Sequence, residues 1–217
     1  LHKGENPVKK VKLPAVQNER ERFLSHEEAK LLLDKLKESS QTIHDMALLS
    51  LHCGLRFCEI AALRGIDIDL QNGLINVADP KNRTSRKAYM TGAAKDMIKP
   101  RIPEDKEDFI FVSKNDKKQI RHISATFHRT VKELGFNEGI KDKRQWISFH
   151  SLRHTHASWL AISGESLLVI REALGHKDFT MTKRYAHLGA DARKQAAMRL
   201  EQAFNKGKED NVIEINK

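Results

Sequence analysis

Apolar residues recur at every third or fourth position in several segments of the chain, which is the spacing of an amphipathic helix. The sequence Ser25-His26-Glu27-Glu28 is typical of a capping box and predicts where the first of these helices begins. The second helix is expected to stop at Gly54, and the third is expected to start at Arg56. The predicted helices cover residues 25–36, 43–52, 56–63, 123–134, 149–162, 167–174 and 190–204.

Two short β-prone segments interrupt the helical pattern near the middle of the chain. Residues 74–77 and 87–90 are separated by a polar run at 79–85, an arrangement typical of a β-hairpin. A further apolar run at 109–112 predicts a strand or an extended connection. The pattern as a whole predicts an α+β fold that is mostly helical and contains a small antiparallel β-sheet.

The excess of lysine and arginine over acidic residues bears on which partners the protein could bind. Lys and Arg together number 39 against 29 Asp and Glu, which gives a formal net charge of +10. Nucleic acid releases counterions when lysines and arginines approach its phosphates, so this charge favours a polyanion, although an anionic membrane surface or simple solubility would also fit it. No apolar run approaches the ~20 residues of a membrane-spanning helix. The start of the chain has no apolar stretch typical of a secretory signal.

Two further features exclude classes of chemistry. No other cysteine completes a metal site with Cys53 and Cys58, so both are expected to be reduced core residues of an intracellular protein. The phosphate-binding sequence Gly-x-x-x-x-Gly-Lys-Ser/Thr is absent, which argues against a nucleotide-driven motor.

Arginine, histidine and tyrosine are concentrated between residues 147 and 188. Arginine neutralises phosphate, histidine transfers protons and tyrosine supplies an attacking oxygen, so this mixture predicts attack on a phosphodiester rather than binding alone. The residues concerned are His150, Arg153, His154, His176, Lys183, Arg184, Tyr185 and His187.

Each part of this cluster also has an alternative explanation. His150 and Arg153 share one face of a predicted helix, which a solvated amphipathic helix would explain equally well. His150 and His154 have the spacing of a helical zinc pair, but Ser151 stands where a zinc peptidase carries its glutamate, so no metal is predicted. Tyr185 alone would suggest packing. The cations and histidines beside it, however, are expected to help a phenol with an ordinary pKa near ~10 to lose its proton.

An arginine also stands at the start of a predicted helix upstream. Arg56 follows Gly54, and a helix N-terminus adds partial positive charge and free N–H groups that favour an anion. Glu59 lies one turn along and could orient the Arg56 guanidinium, or the two could form a surface pair that contributes little.

Together these motifs resemble those of the tyrosine recombinase (phage integrase) catalytic domain. The similarity runs from about residue 23 to residue 188 and comprises four boxes in the order and spacing of that family. They are Gly54-Leu55-Arg56-Phe57-Cys58-Glu59-Ile60, His150-Ser151-Leu152-Arg153-His154-Thr155, Leu174-Gly175-His176, and Tyr185 nine residues later.

The resemblance implies six catalytic residues. Two arginines hold the scissile phosphate, a tyrosine attacks it, one histidine assists proton transfer at the tyrosine, and a second histidine donates a hydrogen bond to the phosphate. A lysine in the β-hairpin protonates the leaving 5′-oxygen. Arg56 and Arg153 match the two arginines, and Tyr185 matches the attacking tyrosine. His150 matches the histidine that assists proton transfer, His176 matches the histidine that binds the phosphate, and Lys81 matches the lysine.

Other residues of the hairpin and the tyrosine segment complete the implied site. Lys81 is the nearest match to the family lysine, but Ala88-Tyr89-Met90 departs from the family's usual Val-Pro-Leu strand and leaves the hairpin register open. The resemblance implies no metal, Glu59 as a supporting residue, and a DNA-binding set of Arg83, Arg86, Lys87, Lys183 and Arg184.

The chemistry of the family implies a site-specific recombinase or integrase that serves the integration or excision of a phage or mobile element. It would cut and rejoin DNA through a 3′-phosphotyrosyl intermediate at Tyr185. The covalent bond conserves the phosphodiester energy, so no cofactor is expected. The implied partners are double-stranded DNA, DNA-bending accessory proteins and further copies of the chain, which would be a monomer in isolation and a homo-tetramer on DNA. The implied location is the cytoplasm, at a prokaryotic nucleoid, with no membrane partner.

Both ends of the chain fit this interpretation. Residues 1–22 are polar and basic and are expected to be a linker from an N-terminal core-binding domain, and residues 23–204 are the expected catalytic domain. Residues 205–217 form a tail with an apolar stub at 212–215. This stub either docks as a strand on a neighbouring protomer or is a frayed terminus.

Two other functions are compatible with the sequence. A type IB topoisomerase-like enzyme would use similar chemistry to relax supercoils, and a non-catalytic regulator would retain the fold only to bind DNA. The compact spacing of the boxes favours the recombinase over the first alternative. The presence of all six candidate residues argues against the second.

Overall fold

The computed structural model of this protein describes residues 22–79, 84–113, 118–189 and 192–209. Within these ranges the strands are β1 Ile68–Asp69, β2 Leu74–Asp79 and β3 Thr84–Tyr89. The α-helices are α1 His26–Ser39, α2 Gln41–Cys53, α3 Phe57–Ala61, α4 Gly92–Ile98, α5 Ala125–Glu133, α6 Phe149–Ile162, α7 Leu167–Leu174, α8 Thr180–Lys183 and α9 Ala192–Glu209. The fold is α+β and mostly helical, as the sequence predicted.

The predicted helix boundaries are set by local side-chain and backbone chemistry. Before α1, the Ser25 hydroxyl accepts a hydrogen bond from the Glu28 N–H, and the Ser25 N–H donates to the Glu28 carboxylate. This reciprocal pair satisfies two backbone donors that have no partner inside the helix. Helix α2 ends at Gly54, whose φ of +64° is the left-handed conformation that glycine adopts without strain. Both boundaries confirm the sequence predictions.

A small antiparallel sheet in the order β1-β2-β3 follows the third helix. Strands β2 and β3 pair from Leu74 with Tyr89 to Asp79 with Thr84, which confirms the predicted hairpin. Residues 80–83, which the sequence predicts to belong to the hairpin loop, lie outside the described residues. Ile75 on β2 is buried, and the sheet packs one face against the helices. Strand β1 was not predicted, because two residues are too few to show a periodic pattern.

Helices α2 and α6 pack together at the centre of the molecule. Most of α2 is buried in the main core, together with the first turn of α6. The second half of α6 packs instead in a smaller cluster. That cluster consists of Ala157, Ala161, Ile170, Leu174 and Tyr185. Burial of Tyr185 in a hydrophobic cluster therefore fixes this side chain relative to α6 and α7.

Several elements differ from the sequence predictions. Helices α4 and α8 were not predicted. The run at 109–112 forms an extended connection with isolated bridges at Phe109 and Val112, which is one of the two predicted alternatives. The prediction that both cysteines belong to the core is half wrong. Cys53 is buried, and burial raises the pKa of its thiol to about 12. Cys58 is exposed, because the short helix α3 turns that position towards solvent.

The ends of the chain are described only in part. Residues 1–21 of the predicted arm and residues 210–217 of the predicted tail lie outside the described residues. Arg22 contacts the folded domain, where its guanidinium pairs with Glu28 at 2.7 Å. Helix α9 continues past the predicted end at Phe204 to Glu209. In the described part of the chain, every helix is too short or too polar to cross a membrane.

Candidate active site

The first predicted arginine stands at the start of α3 and is held by a carboxylate one turn later. The Arg56 backbone N–H donates to Oε2 of Glu59 at 2.8 Å, and Nη1 of Arg56 donates to Oε1 of Glu59 at 2.8 Å. Glu59 therefore caps the helix and orients the guanidinium at the same time. The Arg56 side chain remains 35% exposed, so it stays accessible to a ligand.

The second predicted arginine is buried beneath the first. Arg153 on α6 is 2% exposed, and its Nη1 donates to the carbonyl oxygen of Gly54 at 2.5 Å. Its Nη2 donates to the carbonyl oxygen of Leu174. These acceptors lie at the ends of α2 and α7, where carbonyl groups lack helical partners and the helix dipole is negative. Arg153 therefore joins the box that contains Gly54 to the box that contains Leu174.

Glu59 is the carboxylate at the centre of an arginine cluster, which we define as Arg56, Arg86 and Arg153 with Glu59. Nη2 of Arg86 donates to Oε2 of Glu59 at 2.8 Å, and the same oxygen lies 3.7 Å from Nη1 of Arg153. Burial opposes ionisation of Glu59, but the three arginines and the Arg56 N–H together hold its pKa below the ordinary value. Burial, followed by the positive charge of Arg56, lowers the pKa of Arg153.

Arg86 occupies a structural position in this cluster. The sequence predicted that it would contact DNA, but its Nη1 donates to the Ala173 carbonyl oxygen at 3.0 Å while its Nη2 binds Glu59. Gly175 makes room for its stem, since a Cβ at Gly175 would lie 2.3 Å from Cδ of Arg86. The glycine of the Leu-Gly-His box therefore has a packing reason as well as a φ of +63°.

His176 follows that glycine and lies beside the arginine cluster. Its Nδ1 lies 3.0 Å from the buried hydroxyl of Thr182. Burial, followed by the charges of Arg153, Arg56 and Arg184, lowers the pKa of His176 to about 4. The imidazole is therefore neutral at neutral pH. A Thr182 hydroxyl that donates to Nδ1 would leave the imidazole proton on Nε2, available to a ligand.

A cavity of about 250 Å³ opens onto these residues. Its lining includes Arg56, Glu59, Arg86, Gly175, His176 and Lys177. The basic side chains in this lining give the cavity a positive potential, which suits an anion.

Tyr185 is buried beside this region rather than exposed to solvent. It is 5% exposed, and its hydroxyl oxygen lies 3.1 Å from Nδ1 of His154 on α6. Burial raises the pKa of Tyr185, and the charges of Arg184 and Arg153 offset that rise only in part. The sequence predicted that nearby cations would ease ionisation. They act in that direction, but burial outweighs them, and the resting phenol is protonated.

His154 is the residue that sequence reasoning missed in this role. The sequence placed it in the basic cluster and weighed it as one half of a zinc pair with His150, but gave it no catalytic task. In the structure it contacts Tyr185, 31 positions away in the chain. Its place inside the His-x-x-Arg box was the available signal. The described residues contain no group of three or more histidine, cysteine or acidic side chains placed to hold a metal ion.

The other predicted site residues that the structure describes lie at or near the surface. His150 is exposed on the first turn of α6, Lys183 and Lys87 are also exposed, and Arg184 is half-buried. Lys81 and Arg83 lie outside the described residues.

Comparisons with known proteins identify relatives of this chain. A tyrosine recombinase of Thermosipho africanus (strain TCF52B) is 29% identical over 197 residues, which cover 90% of this chain and 68% of the relative. The alignments with two further relatives cover 63% and 59% of those proteins, so the chain spans less than two thirds of their length.

Solved structures of a recombinase and an integrase share the fold of this chain. The crystal structure of XerA recombinase matches with a TM-score of 0.62 and 26% identity, over 83% of this chain and 65% of that chain. The Tn1549 transposon integrase in complex with circular intermediate DNA matches with a TM-score of 0.66 and 22% identity, over 82% of this chain and 67% of that chain. The sequence profile of the phage integrase family matches residues 22–191, which is most of the chain. The chain therefore belongs to the phage integrase family, whose members include the tyrosine recombinases.

Proposed function

We propose that this chain is the catalytic part of a tyrosine site-specific recombinase that cuts and rejoins double-stranded DNA through a 3′-phosphotyrosyl bond at Tyr185. The observation that carries this proposal is the convergence of Arg56, Arg153 and His176 beside one basic cavity. These residues come from separate boxes of the sequence. The naming of relatives as tyrosine recombinases supports the reaction class.

The arginine cluster would bind the scissile phosphate. Three guanidinium groups against one carboxylate leave a net charge of +2 (3 − 1), and Arg56 is the most exposed of the three arginines. A preorganised cation that offsets the charge developing in the transition state contributes about 3 kcal/mol. The Nε2–H of neutral His176 would add a hydrogen bond to a non-bridging oxygen.

The covalent step exchanges one phosphodiester bond for another. The Tyr185 phenol would give its proton to a neighbouring histidine, and its oxygen would form a bond to phosphorus as the bond to the 5′-oxygen breaks. The departing oxygen would take a proton. We assign that proton to Lys81, which lies outside the described residues. The 5′-hydroxyl of a partner strand would then reverse the attack. This scheme needs neither a metal nor a nucleotide.

Covalent trapping on nicked duplexes tests the proposal. The duplexes would carry candidate attachment sites from DNA flanking the gene, with a nick that lets the 5′-product diffuse away. We expect a protein–DNA band that survives denaturant, with the attached peptide mapped to Tyr185 by mass spectrometry. Tyr185→Phe should bind the same duplex without forming the band. Absence of the band on DNA that the chain demonstrably binds, or its persistence in Tyr185→Phe, would overturn the proposal.

We further propose that the chain acts on cytoplasmic, nucleoid-associated DNA as a homo-tetramer, is a monomer without DNA, and uses DNA-bending accessory proteins. The chain spans only part of its relatives, so residues 1–22 are proposed to lead to a further DNA-binding domain. Residues 205–217 are proposed to dock on a neighbour. Sedimentation with and without a paired-site duplex tests the assembly, and a variant lacking residues 205–217 tests the docking. Relaxation of supercoiled plasmid without strand exchange would instead favour a topoisomerase-like enzyme.

A further inference from the structure

The hydroxyl of the proposed nucleophile contacts a histidine before any DNA is bound. The Tyr185 oxygen lies 3.1 Å from Nδ1 of His154, and the two ring centroids are 5.2 Å apart. Both side chains are buried. A phenol can donate its hydrogen bond to Nδ1 when the imidazole proton is on Nε2, so the geometry is already that of a proton donor and acceptor.

The position of His154 separates it from the histidine that the family resemblance implies for this task. His150 lies one helical turn earlier on α6 and is exposed, whereas His154 lies on the part of α6 that faces Tyr185. An edge-on contact between the rings of Phe23 and His154 closes another side of the imidazole. A buried contact of this kind excludes the water that would otherwise take the phenolic proton.

The charged and titratable groups around this pair come from α6 and from the segment that carries Tyr185. Arg153 lies on α6, and Arg184 lies on the tyrosine segment. Arg153 and Arg184 favour the phenolate over the phenol. Proton transfer within the pair leaves its net charge unchanged. The surrounding cations therefore do not oppose this transfer as they would oppose uptake of a proton from solvent.

We infer that His154 is a catalytic residue that accepts the proton of Tyr185 as the phenol attacks DNA, an inference that rests on the function proposed above. The O–H bond of Tyr185 breaks, the proton moves to Nδ1 of His154, and the oxygen forms its bond to phosphorus. The bond from phosphorus to the 5′-oxygen breaks, and that oxygen takes a proton from the general acid. In the rejoining step the 5′-hydroxyl attacks phosphorus and gives its proton back to the group that acted as general acid. The bond from phosphorus to the Tyr185 oxygen breaks, and the His154 imidazolium returns its proton to that oxygen.

The test uses the fact that the chain contains two tyrosines. Tyr89 is 75% exposed, so Tyr89→Phe should be tolerated and leaves Tyr185 as the single tyrosine. In that background the protein is produced with tyrosine or with 3-fluorotyrosine, whose phenol is more acidic. The rate of adduct formation on the nicked duplex is measured as a function of pH for the protein that retains His154 and for its His154→Asn and His154→Gln variants. Both replacements retain a hydrogen-bonding amide but cannot accept the proton.

Loss of a proton acceptor predicts a rate that falls by about 10²–10⁴-fold. Higher pH and 3-fluorotyrosine should each restore part of the loss, because both make the phenolate easier to form. A residue that only positions Tyr185 would give a loss that neither condition restores. His128→Gln, an exposed histidine on α5, is the matched control and should retain the parent rate.

Three outcomes would overturn the inference. They are a rate in His154→Asn and His154→Gln near that of the parent, a loss that fluorotyrosine and pH leave unchanged, and an unaltered pH profile. Failure of the proposed function itself is recognised separately, because the parent protein would then form no adduct at Tyr185. If one replacement does not fold, as judged by the ¹⁹F resonance of Tyr185 and by thermal unfolding, the other gives the answer. If neither folds, the parent still decides between outcomes, because an internal base predicts that its rate falls at acidic pH and that fluorotyrosine does not remove this fall.

Discussion

Arg86 on β3 and Glu59 on α3 are joined by a 2.8 Å hydrogen bond between Nη2 and Oε2, although 27 positions separate them in the chain. The same arginine binds the Ala173 carbonyl oxygen at the end of α7. Arg86 thus connects the β-hairpin to the carboxylate that holds Arg56 and to the turn before His176. Residues 80–83, which include Lys81, lie between β2 and β3 in the sequence, so this contact ties the strand that follows Lys81 to the arginine cluster.

Removal of the Glu59 charge should destabilise the fold. Glu59→Gln leaves three guanidinium groups without their shared anion, and breaking a buried ion pair from one side costs about 3 kcal/mol. We expect this loss in the free energy of unfolding measured with urea. Glu107→Gln is the matched control, because Glu107 pairs with Arg64 at the surface and exposed pairs contribute about 0.5 kcal/mol. Equal effects of the two variants would contradict a central role for Glu59.

Gly175→Ala should show that the Leu-Gly-His box needs its glycine for two reasons. A left-handed alanine costs about 1–2 kcal/mol, and the new Cβ would also collide with the Arg86 stem, since it would lie 2.3 Å from Cδ. Gly73→Ala shares a positive φ but places its Cβ in open space, so it reports the first cost alone. We expect Gly175→Ala to lose about 1 kcal/mol more than Gly73→Ala in urea unfolding, as overpacked sites do.

The same pair of variants separates stability from activity. Displacement of Arg86 should disturb the arginine cluster and slow adduct formation on the nicked duplex, whereas Gly73→Ala should leave the rate unchanged. Identical unfolding energies and identical adduct rates in both variants would show that Arg86 moves aside without consequence.

The parts of the fold that the sequence predicted are those with local causes. Helices α6 and α7 have the predicted bounds, because their apolar spacing and their start and stop signals lie within the helices themselves or next to them. The boxes around Arg56 and Arg153 were also found locally, because each is a short run of adjacent residues that resembles a motif of the phage integrase family. Helix α8 escaped prediction, because its four residues complete little more than one turn and show no periodicity.

The contacts that organise the candidate site depend on tertiary packing instead. Nothing in the residues near Glu59 indicates that Arg86 will reach it, and nothing near Tyr185 indicates that His154 will. These pairs are 27 and 31 positions apart, and packing of α6 and the hairpin brings them together. The protonated state of the buried Tyr185 phenol has the same origin, since burial of the ring is a property of the assembled cluster rather than of the local sequence.

Two half-buried histidines should make the protein less stable in mild acid. Burial lowers the pKa of His156 and of His176 to about 4, against about 6.5 for an unfolded histidine. Between these values the unfolded chain binds more protons, so the free energy of unfolding falls as pH drops from about 6.5 towards 4 and loses no more from these groups below that. His156→Gln should reduce the slope of the free energy of unfolding against pH by the equivalent of about one proton. The measurement is urea unfolding at a series of pH values across this range. His128→Gln, which replaces an exposed histidine, should leave the slope unchanged.

Arg153→Lys tests whether the buried guanidinium has a role that a simple positive charge cannot fill. One ammonium group cannot reproduce the planar fork that reaches both the Gly54 and the Leu174 carbonyl oxygens, and burial disfavours its charged form. Loss of one preorganised donor typically lowers the rate by about 10²–10³-fold, so we expect at least that fall in adduct formation. Arg64→Lys, at an exposed arginine, should retain the wild-type rate. Near-normal cleavage by Arg153→Lys, with unchanged stability, would show that charge alone suffices and would remove the basis for placing the phosphate against Arg153.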